Sequence, residues 1–567
     1  MMKKFLLVLA SVLVFYACSD NEKTFIPAPE ITDVVIDGSS EDTPLRIELG
    51  ETLSFSLNLK EQMDVTYSWL LDEKEVSTAE KFVFTPDKTG EYQLNVVLTN
   101  KDGIATPKEV GVIEVIHPIP VITGLFSEDK EISGEIEITA TSKHSFEVKA
   151  DKASDAIYYW LINGDTIQDA NEPALEYDLG ISGKLTVTIE NKDNVSVSKD
   201  VELVGPYKNG VYIFGTSYTG LCFISEDGVQ EKDNIYETVN EGEKLGDSGI
   251  NDFVIYNNKV YILIPSISYS DKRAQIVVAD AQTMKKIDAI TATGFSSADL
   301  GTIYNLAIIN ENKAYIGSNK IAGGNISSVK VLDMKEKMMA EAEIEGTSGK
   351  IGSEGPAWAR MLTIGERTLV ACGPKVQVIN NATDKVEKTI DFEAGQVVDI
   401  VKGRDNTIYA LVNPKASGSP ATIAAINKET FAVDTRTELA YNSKNITFNS
   451  GGMTNARVAV SPVSDDILFS VAGPNAWSSS SEIYKYNYTS QEVELFADVK
   501  NNARATAMNG YMGIDSKGIL FVPLSGQYSY QNEAIIAYDV KTGDLLTTSY
   551  SRLKQGEGNV VPTWMFK

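Results

Sequence analysis

Short runs of alternating apolar and polar residues follow one another along most of the chain, separated by polar turns. Two examples are YQLNVVLTN, which begins at Tyr92, and KLTVTIEN, which begins at Lys184. Such alternation places apolar side chains on one face of a β-strand and polar side chains on the other. Scarcely any stretch has the period of a helix. The pattern therefore predicts an all-β protein.

Three features recur at a single offset of 91 residues in the first part of the chain. They are the motif P-x-I-T at Pro29 and Pro120, a tryptophan in an apolar run at Trp69 and Trp160, and the motif N-K-D at Asn100 and Asn191. A tryptophan in a central strand can fill the core between two sheets, as in immunoglobulin-like sandwiches. We therefore expect two tandem immunoglobulin-like domains, over residues 27–117 and 118–205.

A longer period begins near residue 206. One unit reads strand, tight turn, strand, longer loop, strand, second tight turn, strand. The second turn carries Asp or Asn, a side chain that can accept a hydrogen bond from the backbone two residues ahead. These positions are Asp280, Asp333, Asn380, Asn427, Asn487 and Asp539, at steps of 47 to 60 residues. That step is the scale of one four-stranded propeller blade.

The two ends of this region are complementary. Six full units run from about residue 248 to residue 548, and the segment before them supplies only three strands. The chain ends in VVPTWMFK, residues 560–567, which has the pattern of one further strand. Placing that strand in the first blade removes an exposed sheet edge. The sequence thus predicts a seven-bladed β-propeller over residues 206–567, closed by the C-terminal strand.

The first residues have the pattern of an export signal. Lys3 and Lys4 precede an apolar run, residues 5–15, that is too short to span a bilayer, and Cys18 follows a small residue. This resembles a bacterial lipoprotein signal peptide over residues 1–17, with Cys18 acylated and an acidic linker over residues 18–26. The acidic SDNE after Cys18 resembles the export signal of Bacteroidetes surface lipoproteins, which implies an outer-membrane anchor and an extracellular location. An ordinary secretory signal with an unrelated cysteine is the alternative.

The net charge limits the classes of binding partner, and the positions of the cysteines bear on whether a disulfide forms. The net charge of −27 predicts a surface that repels nucleic acid and anionic lipid. We therefore expect no nucleic-acid partner, and contact with the membrane only through the lipid. Cys222 and Cys372 lie in apolar runs far apart in the sequence, so buried thiols are favoured over a disulfide.

Candidate catalytic chemistry is sparse. The two histidines, His117 and His144, both precede the propeller region, which excludes a Ser-His-Asp triad or a histidine-ligated metal within it. The sequence has no phosphate-binding loop and no calcium loop. A paired-carboxylate hydrolase stays open because acidic residues are plentiful. We predict a binding protein rather than an enzyme, with no metal and no cofactor.

Aromatic and polar residues concentrate in one set of loops. These loops connect the second and third strands of each blade or lead into its first strand, so they open on one face. Exposed Tyr and Trp beside Ser, Gly and Asn provide apolar contact area together with hydrogen bonding. The predicted ligand-binding residues are Tyr269, Trp358, Arg360, Arg457, Trp477, Arg504, Tyr511, Tyr528 and Tyr530. Packing between blades is the alternative for Trp358 and Tyr511.

Two family resemblances follow from these segments. The repeat units, with WLLDEKE and WLINGD in place of the usual motif, resemble PKD-like domains. We expect them to act as rigid spacers, and binding of carbohydrate or a partner is the alternative. The later region, with YDVKTGDLL and the closing VVPTWMF, resembles the YncE-like seven-bladed propellers of Bacteroidetes surface lipoproteins. One branch, the BtuG-like proteins, captures cobalamin and delivers it to a TonB-dependent transporter.

The resemblance implies capture of a small-molecule or glycan nutrient, such as a corrinoid, for a TonB-dependent outer-membrane transporter. Two other functions stay open from the sequence. One is a protein-binding or adhesive surface module, which a large flat patch would favour. The other is a propeller enzyme such as a lactonase or lyase, which carboxylates converging on the central channel would favour.

Overall fold

The computed structural model of the chain describes most residues from Ile26 to Trp564. The described ranges are 26–37, 45–61, 64–215, 218–225, 231–232, 234–320, 324–356, 360–393, 395–415, 419–439, 446, 458–472, 479–501, 507–508, 511–525, 532–547 and 560–564. Strands dominate these residues, and their helices are short: Ile235–Val239, Ser297–Leu300 and the 3-10 helix Val499–Asn501. Within the described part, no helix is long and apolar enough to cross a membrane. The all-β prediction is confirmed.

The first repeat unit forms two facing sheets. One contains, in spatial order, Ile31–Asp37, Leu53–Leu59 and Phe82–Phe84; the other contains Leu45–Glu48, Ala105–Ile116, Gly90–Asn100, Val65–Leu71 and Lys74–Ser77. Trp69 is fully buried between them, with its ring 6.3 Å from Phe55 and 5.6 Å from Phe82. Its indole N–H donates to the carbonyl of Ala79 at 2.9 Å, so the one polar atom of this core residue is satisfied.

The second repeat unit has the same arrangement. One sheet contains Lys130–Glu131, Val121–Ser127, His144–Asp151 and Ala174–Tyr177; the other contains Glu135–Glu137, Ser196–Val204, Gly183–Glu190, Ile157–Ile162 and Asp165–Thr166. Trp160 is fully buried beside Phe146, and its indole N–H donates to the carbonyl of Glu172 at 2.9 Å. The two tryptophans thus have the same role, as the repeat predicted. We refer to these units as the first and second sandwiches.

The N-K-D motif ties the start of each sandwich to the turn that carries the motif. Asn100 donates through Nδ2 to the carbonyls of Ile26 and Pro27, at 2.9 and 3.0 Å. Its Oδ1 accepts from the backbone N–H groups of Asp102 and Ile104, at 3.0 and 2.9 Å. In the second sandwich, Asn191 makes the same four bonds to His117, Pro118, Asp193 and Val195.

From Gly210 to Trp564, the described residues form seven successive antiparallel sheets, numbered here in chain order. Sheet 2 contains Asp252–Tyr256, Lys259–Ile264, Gln275–Asp280 and Lys286–Ile290. Sheet 3 contains Thr302–Asn310, Lys313–Lys320, Ile326–Asp333 and Met338–Glu343, with the short strand Gly349–Lys350. Sheet 4 contains Leu362–Ile364, Arg367–Cys372, Lys375–Asn380 and Lys385–Asp391. Sheet 5 contains Gln396–Lys402, Ile408–Asn413, Thr422–Ile426 and Val433–Glu438. Sheet 6 contains Ala459–Val460, Asp466–Ala472, Ser479–Asn487 and Glu492–Asp498. Sheet 7 contains Ala507–Met508, Ile519–Ser525, Asn532–Asp539 and Leu545–Thr547, with the short strand Gly513–Ile514.

Sheet 1 joins the two ends of this region. It contains, in spatial order, Glu231–Lys232, Tyr218–Ser225, Gly210–Gly215 and Val560–Trp564. The last two strands are antiparallel, with Val211 opposite Trp564 and Gly215 opposite Val560. The C-terminal strand thus occupies the edge position that the first strand occupies in sheets 2, 4, 5 and 6.

Adjacent sheets share apolar cores. The last sheet and the first share such a core: Val211, Ile213, Cys222 and Ile224 of sheet 1 pack with Phe521, Ile535 and Ala537 of sheet 7. Burial of such aliphatic and aromatic side chains stabilises each sheet against its neighbour. Cys222 and Cys372 are both buried thiols and are not joined in a disulfide, which confirms the sequence prediction.

The predicted turn acceptors are confirmed. Asn427 is typical: its Oδ1 accepts from the backbone N–H groups of Glu429 at 3.0 Å and Thr430 at 2.9 Å. The corresponding bonds are present at Asp280, Asn380, Asn487 and Asp539, and Asp333 accepts from the residue three ahead. A short acceptor at this position fixes the turn into the fourth strand of each sheet.

Candidate functional site

The loops predicted to bind a ligand lie at one end of the sheets. In an antiparallel sheet, the loop between the second and third strands and the segment entering the first strand are at the same end. The loop face is defined here by its described residues, 240–251, 265–274, 291–301, 344–356, 360–361, 392–393, 395, 414–415 and 419–421. The turns that carry Asp280 and its counterparts are at the opposite end.

Tyr269 projects from the loop face. Its side chain is 82 % exposed, more than any other large apolar or aromatic residue of the described part. It is at the tip of the loop between the second and third strands of sheet 2, within PSISYSDKR. An aromatic ring with this exposure offers a large contact area that no neighbour covers.

The loop that carries Tyr269 is held by its own polar residues. The hydroxyl of Ser266 lies 2.9 Å from the carbonyls of both Ser268 and Asp271, to which it can donate. The Ser268 hydroxyl accepts from the backbone N–H of Asp271 at 2.9 Å, and the backbone N–H of Ile267 donates to the carbonyl of Arg273 at 2.9 Å. Tyr269 is therefore presented by a closed loop, which lowers the entropy lost when a ligand binds.

An ion pair and a neighbouring segment fix the base of this loop. Arg273 contacts the carboxylate of Asp271 through Nε and Nη2, at 2.6 to 3.1 Å. The Arg273 guanidinium lowers the pKa of the Asp271 carboxyl, mainly by hydrogen bonding to its charged form. Asp247 donates its backbone N–H to the carbonyl of Ile267 at 3.1 Å, and the hydroxyl of Ser248 donates to the carbonyl of Ser266. Residues 240–251 thus support the loop from the side.

The side chain of Arg360 forms an ion pair and a hydrogen bond with residues in or next to other sheets. Its guanidinium makes a fork with Asp399, in which Nη2 is 2.9 Å from Oδ2 and Nε is 3.1 Å from each oxygen. Nη2 also donates to the carbonyl of Val458 at 2.5 Å. The side chain of Asp399 is 1 % exposed and that of Arg360 is 30 % exposed. Most donors of this predicted ligand contact are therefore used within the protein.

Tyr511 packs rather than projects. It is half-buried against the apolar cluster shared by sheets 1 and 2, which includes Tyr212, Phe214 and Phe253. This is the packing alternative that the sequence left open for it. The other predicted positions lie outside the described residues: Cys18, Trp358, Arg457, Trp477, Arg504, Tyr528 and Tyr530.

Several residues that build the site were not predicted. Ser266, Ser268, Asp271 and Arg273 hold the Tyr269 loop, and the signal for them was the alternation of Ser with Asp and Arg inside PSISYSDKR. Asp399 was also missed, although a single acid within the apolar strand QVVDIVK indicates a buried carboxylate that needs a partner. In the described ranges, no group of three or more His, Cys, Asp or Glu side chains could hold a metal ion.

Comparisons with known families cover both parts of the chain. Residues 210–552 match the model described as "Domain of unknown function (DUF5074)", and residues 34–100 match the model described as "PKD-like domain". The first match spans more than half of the chain. A comparison with curated proteins found no match.

Two solved structures illustrate the matches found. A "Quinonprotein alcohol dehydrogenase-like protein" from Bacteroides thetaiotaomicron is 15 % identical, with 79 % of this chain and 99 % of that chain covered and a TM-score of 0.46. The "Cps50 (Swd1) beta-propeller domain" of Myceliophteria thermophila is 10 % identical, with 56 % and 94 % covered and a TM-score of 0.35. The chain combines a PKD-like domain with a β-propeller.

Proposed function

We infer that this chain, which belongs to the DUF5074 family, is a lipid-anchored surface protein that binds a ligand on the loop face of its propeller. The anchor is Cys18, in the outer membrane, and the chain faces the extracellular side. Binding rather than catalysis is proposed. The ligand is a nutrient, a corrinoid or a glycan, delivered to a TonB-dependent transporter.

The proposed architecture is a ring of seven blades behind two immunoglobulin-like sandwiches. Each of sheets 1 to 7 is one blade, and Val560–Trp564 completes the first blade beside Gly210–Gly215. Supporting this, sheet 7 packs against sheet 1 through Phe521 and Val211 among others. A closed ring leaves each sheet covered on both faces by its neighbours, as propellers require.

The observation that carries the binding proposal is the exposed ring of Tyr269 on a loop that is already ordered. Large rigid aromatic side chains contribute disproportionately to binding energy, and a preformed loop spares the cost of ordering. Ser270, which is exposed and whose hydroxyl is 3.1 Å from that of Ser268, lies beside it and can hydrogen-bond a polar ligand. The acidic surface, with a net charge of −27, favours neutral or cationic ligands.

The test is a calorimetric titration of the chain from residue 24 to residue 567 with cyanocobalamin. One-to-one binding that Tyr269→Ala weakens by roughly tenfold, and that Tyr269→Phe retains, supports corrinoid capture through this ring. Leu495→Ala is the control, since Leu495 is 53 % exposed on the fourth strand of sheet 6. Trp477→Ala and Tyr528→Ala are expected to weaken binding as well.

Other outcomes separate the remaining functions. No binding of cyanocobalamin, followed by binding of a glycan from a panel, would replace the corrinoid with a glycan. No small ligand at all, but capture of a surface protein that Tyr269→Ala abolishes, would favour the adhesive alternative. Turnover of a lactone or a glycan by the chain would overturn the binding proposal and favour an enzyme.

A further inference from the structure

One carboxylate joins the second sandwich to sheet 2. Asp280 is the turn acceptor of sheet 2, and its Oδ1 accepts from the backbone N–H groups of Gln282 and Thr283, at 2.9 and 2.8 Å. Ser182 of the second sandwich donates to the same carboxylate, through its backbone N–H at 2.8 Å and its hydroxyl at 2.8 Å. Ser182 is 0 % exposed and Asp280 is 1 % exposed. A turn residue of the propeller is thus also a contact between domains.

This double role is particular to Asp280. Among the six turn acceptors that the structure describes, Asp280 alone is buried. Asn380, Asn427 and Asn487 make the same bonds within their turns with an amide instead of a carboxylate. The turn itself therefore does not require a carboxylate, and the second oxygen of Asp280 serves the sandwich.

Two turns of sheet 2 hold the same segment of the sandwich. The hydroxyl of Thr283 donates to the carbonyl of Gly180 at 2.6 Å. From the turn between the first and second strands, Asn258 donates through Nδ2 to the carbonyl of Ser182 at 3.2 Å. Residues 180–182 are therefore bound from both sides, by side chains that are more than seventy positions away in the sequence.

The connection between the domains is fixed to the same turn. Gly205 donates its backbone N–H to Oε1 of Gln282 at 3.1 Å, and Tyr207 donates its backbone N–H to the Gln282 carbonyl at 2.9 Å. A Cβ atom on residue 205 would be 2.3 Å from that carbonyl oxygen, so the close approach requires glycine. The segment that connects the two domains is therefore hydrogen-bonded directly to the turn of sheet 2.

We propose that the second sandwich and the propeller form one rigid body, fixed at Asp280, which points the loop face away from the sandwich. Separation of the domains would remove the backbone N–H and the hydroxyl of Ser182 from the Asp280 carboxylate, so these hydrogen bonds favour the docked arrangement. The joint uses the first and second tight turns of sheet 2, which lie at the end of the strands opposite the loop face. The sandwich therefore leaves the loop face uncovered. This inference does not depend on the identity of any ligand.

The test compares two matched substitutions. Asp280→Asn keeps the acceptor for the turn, as Asn380 and Asn427 do, but presents an amide to the backbone N–H of Ser182. Asp539→Asn makes the same change in sheet 7, where the acceptor binds Lys541 and Thr542 within its own turn. Only the first change should loosen the domains.

The distance between spin labels at Glu176→Cys, in the second sandwich, and Lys272→Cys, on the loop face, reports the joint directly. We expect one narrow distance distribution in the otherwise unchanged chain from residue 24 and in the Asp539→Asn form, and a broad one with Asp280→Asn. Backbone amide exchange at Ser182 and Tyr207 should become roughly tenfold faster with Asp280→Asn. Exchange within Gly183–Glu190 should stay unchanged.

Broad distances in the unchanged chain would overturn the proposal, as would equal effects of the two asparagine substitutions. If Asp280→Asn yields no folded protein, Ser182→Ala provides the second variant, because it removes the hydroxyl donor and keeps the backbone N–H. Faster exchange at Tyr207 in Ser182→Ala then supports the joint. Exchange within twofold of the unchanged chain contradicts it.

Discussion

Arg360 and Asp399 form a forked ion pair between the segment that enters sheet 4 and the first strand of sheet 5, with Nη2 and Oδ2 2.9 Å apart. Because Asp399 is 1 % exposed, removal of Arg360 would leave its charge buried without the guanidinium. We expect Arg360→Ala to lower the free energy of unfolding of the propeller by about 3 kcal/mol. Denaturant unfolding followed by tryptophan fluorescence measures this loss.

The control is Arg367→Ala. Arg367 pairs with Glu387 at 2.8 Å, but the Glu387 side chain is 32 % exposed and can be hydrated when its partner is lost, so we expect a clearly smaller loss of stability than for Arg360→Ala. Equal losses for the two substitutions would show that burial of Asp399 does not set the strength of the Arg360 contact.

The N-K-D motif makes a prediction for each sandwich. Asn191 makes four hydrogen bonds that hold the start of the second sandwich, at His117 and Pro118, to the turn at Asp193 and Val195. Asn191→Ala should therefore destabilise this sandwich by about 2 kcal/mol or more. Asn100→Ala should have a similar effect on the first sandwich. Calorimetric melting of the chain measures both.

Lys192→Ala controls for disturbance of the same turn. Lys192 is exposed and pairs with Asp155 at 3.2 Å, so its loss should change stability by about 0.5 kcal/mol or less. A loss for Asn191→Ala no greater than that for Lys192→Ala would mean that the motif has no structural role beyond an ordinary turn.

The parts of the fold that the sequence predicts well are those set by short-range pattern. Trp69 and Trp160 were placed in sandwich cores because each lies in an apolar run and the two runs recur at the offset of 91 residues, and both are fully buried. The turn acceptors, such as Asn427, were found because a short polar side chain fixes its own turn within three residues. Neither inference needs knowledge of distant contacts.

Contacts between distant segments were not predictable in this way. Ser182 and Asp280 are 98 positions apart, and nothing in either local pattern distinguishes the docked turn of sheet 2 from the turn at Asn427. Similarly, the sequence around Arg360 indicates an exposed loop cation, because its partner, the buried carboxylate of Asp399, lies 39 positions later in the chain. Tyr269 was identified correctly as a loop aromatic, but the hydrogen bonds that order its loop arise from the three-dimensional path of the chain.

The two buried thiols should be unreactive in the folded protein. Burial raises the pKa of the Cys372 thiol to about 12, and Cys222 is 4 % exposed. Thiolates are the reactive form, so neither residue should react with a disulfide reagent at pH 8. We expect the folded chain from residue 24 to titrate no thiol and the chain in denaturant to titrate both. Rapid reaction of the folded chain would contradict the packing of sheet 1 or sheet 4.

Removal of the C-terminal strand tests closure of the proposed ring. Val560–Trp564 pairs with the strand Gly210–Gly215, and without it that strand becomes an exposed edge. Deletion of residues 560–567 should lower the melting temperature and promote aggregation, measured by calorimetry and light scattering. Deletion of residues 565–567 alone is the control, because it leaves the paired strand in place. Equal behaviour of the two deletions would contradict closure by this strand.

The final prediction concerns Cys18, which lies outside the described residues. If Cys18 is acylated, cells expressing the full chain should incorporate labelled palmitate into it, and Cys18→Ser should abolish the label. The protein should then leave the membrane fraction, since acyl chains supply the membrane affinity. Replacement of Asp20 and Glu22 by Ala should retain the label but reduce digestion by protease added to intact cells. Labelling that persists in Cys18→Ser would contradict the anchor, and unchanged digestion would contradict the role of the acidic residues.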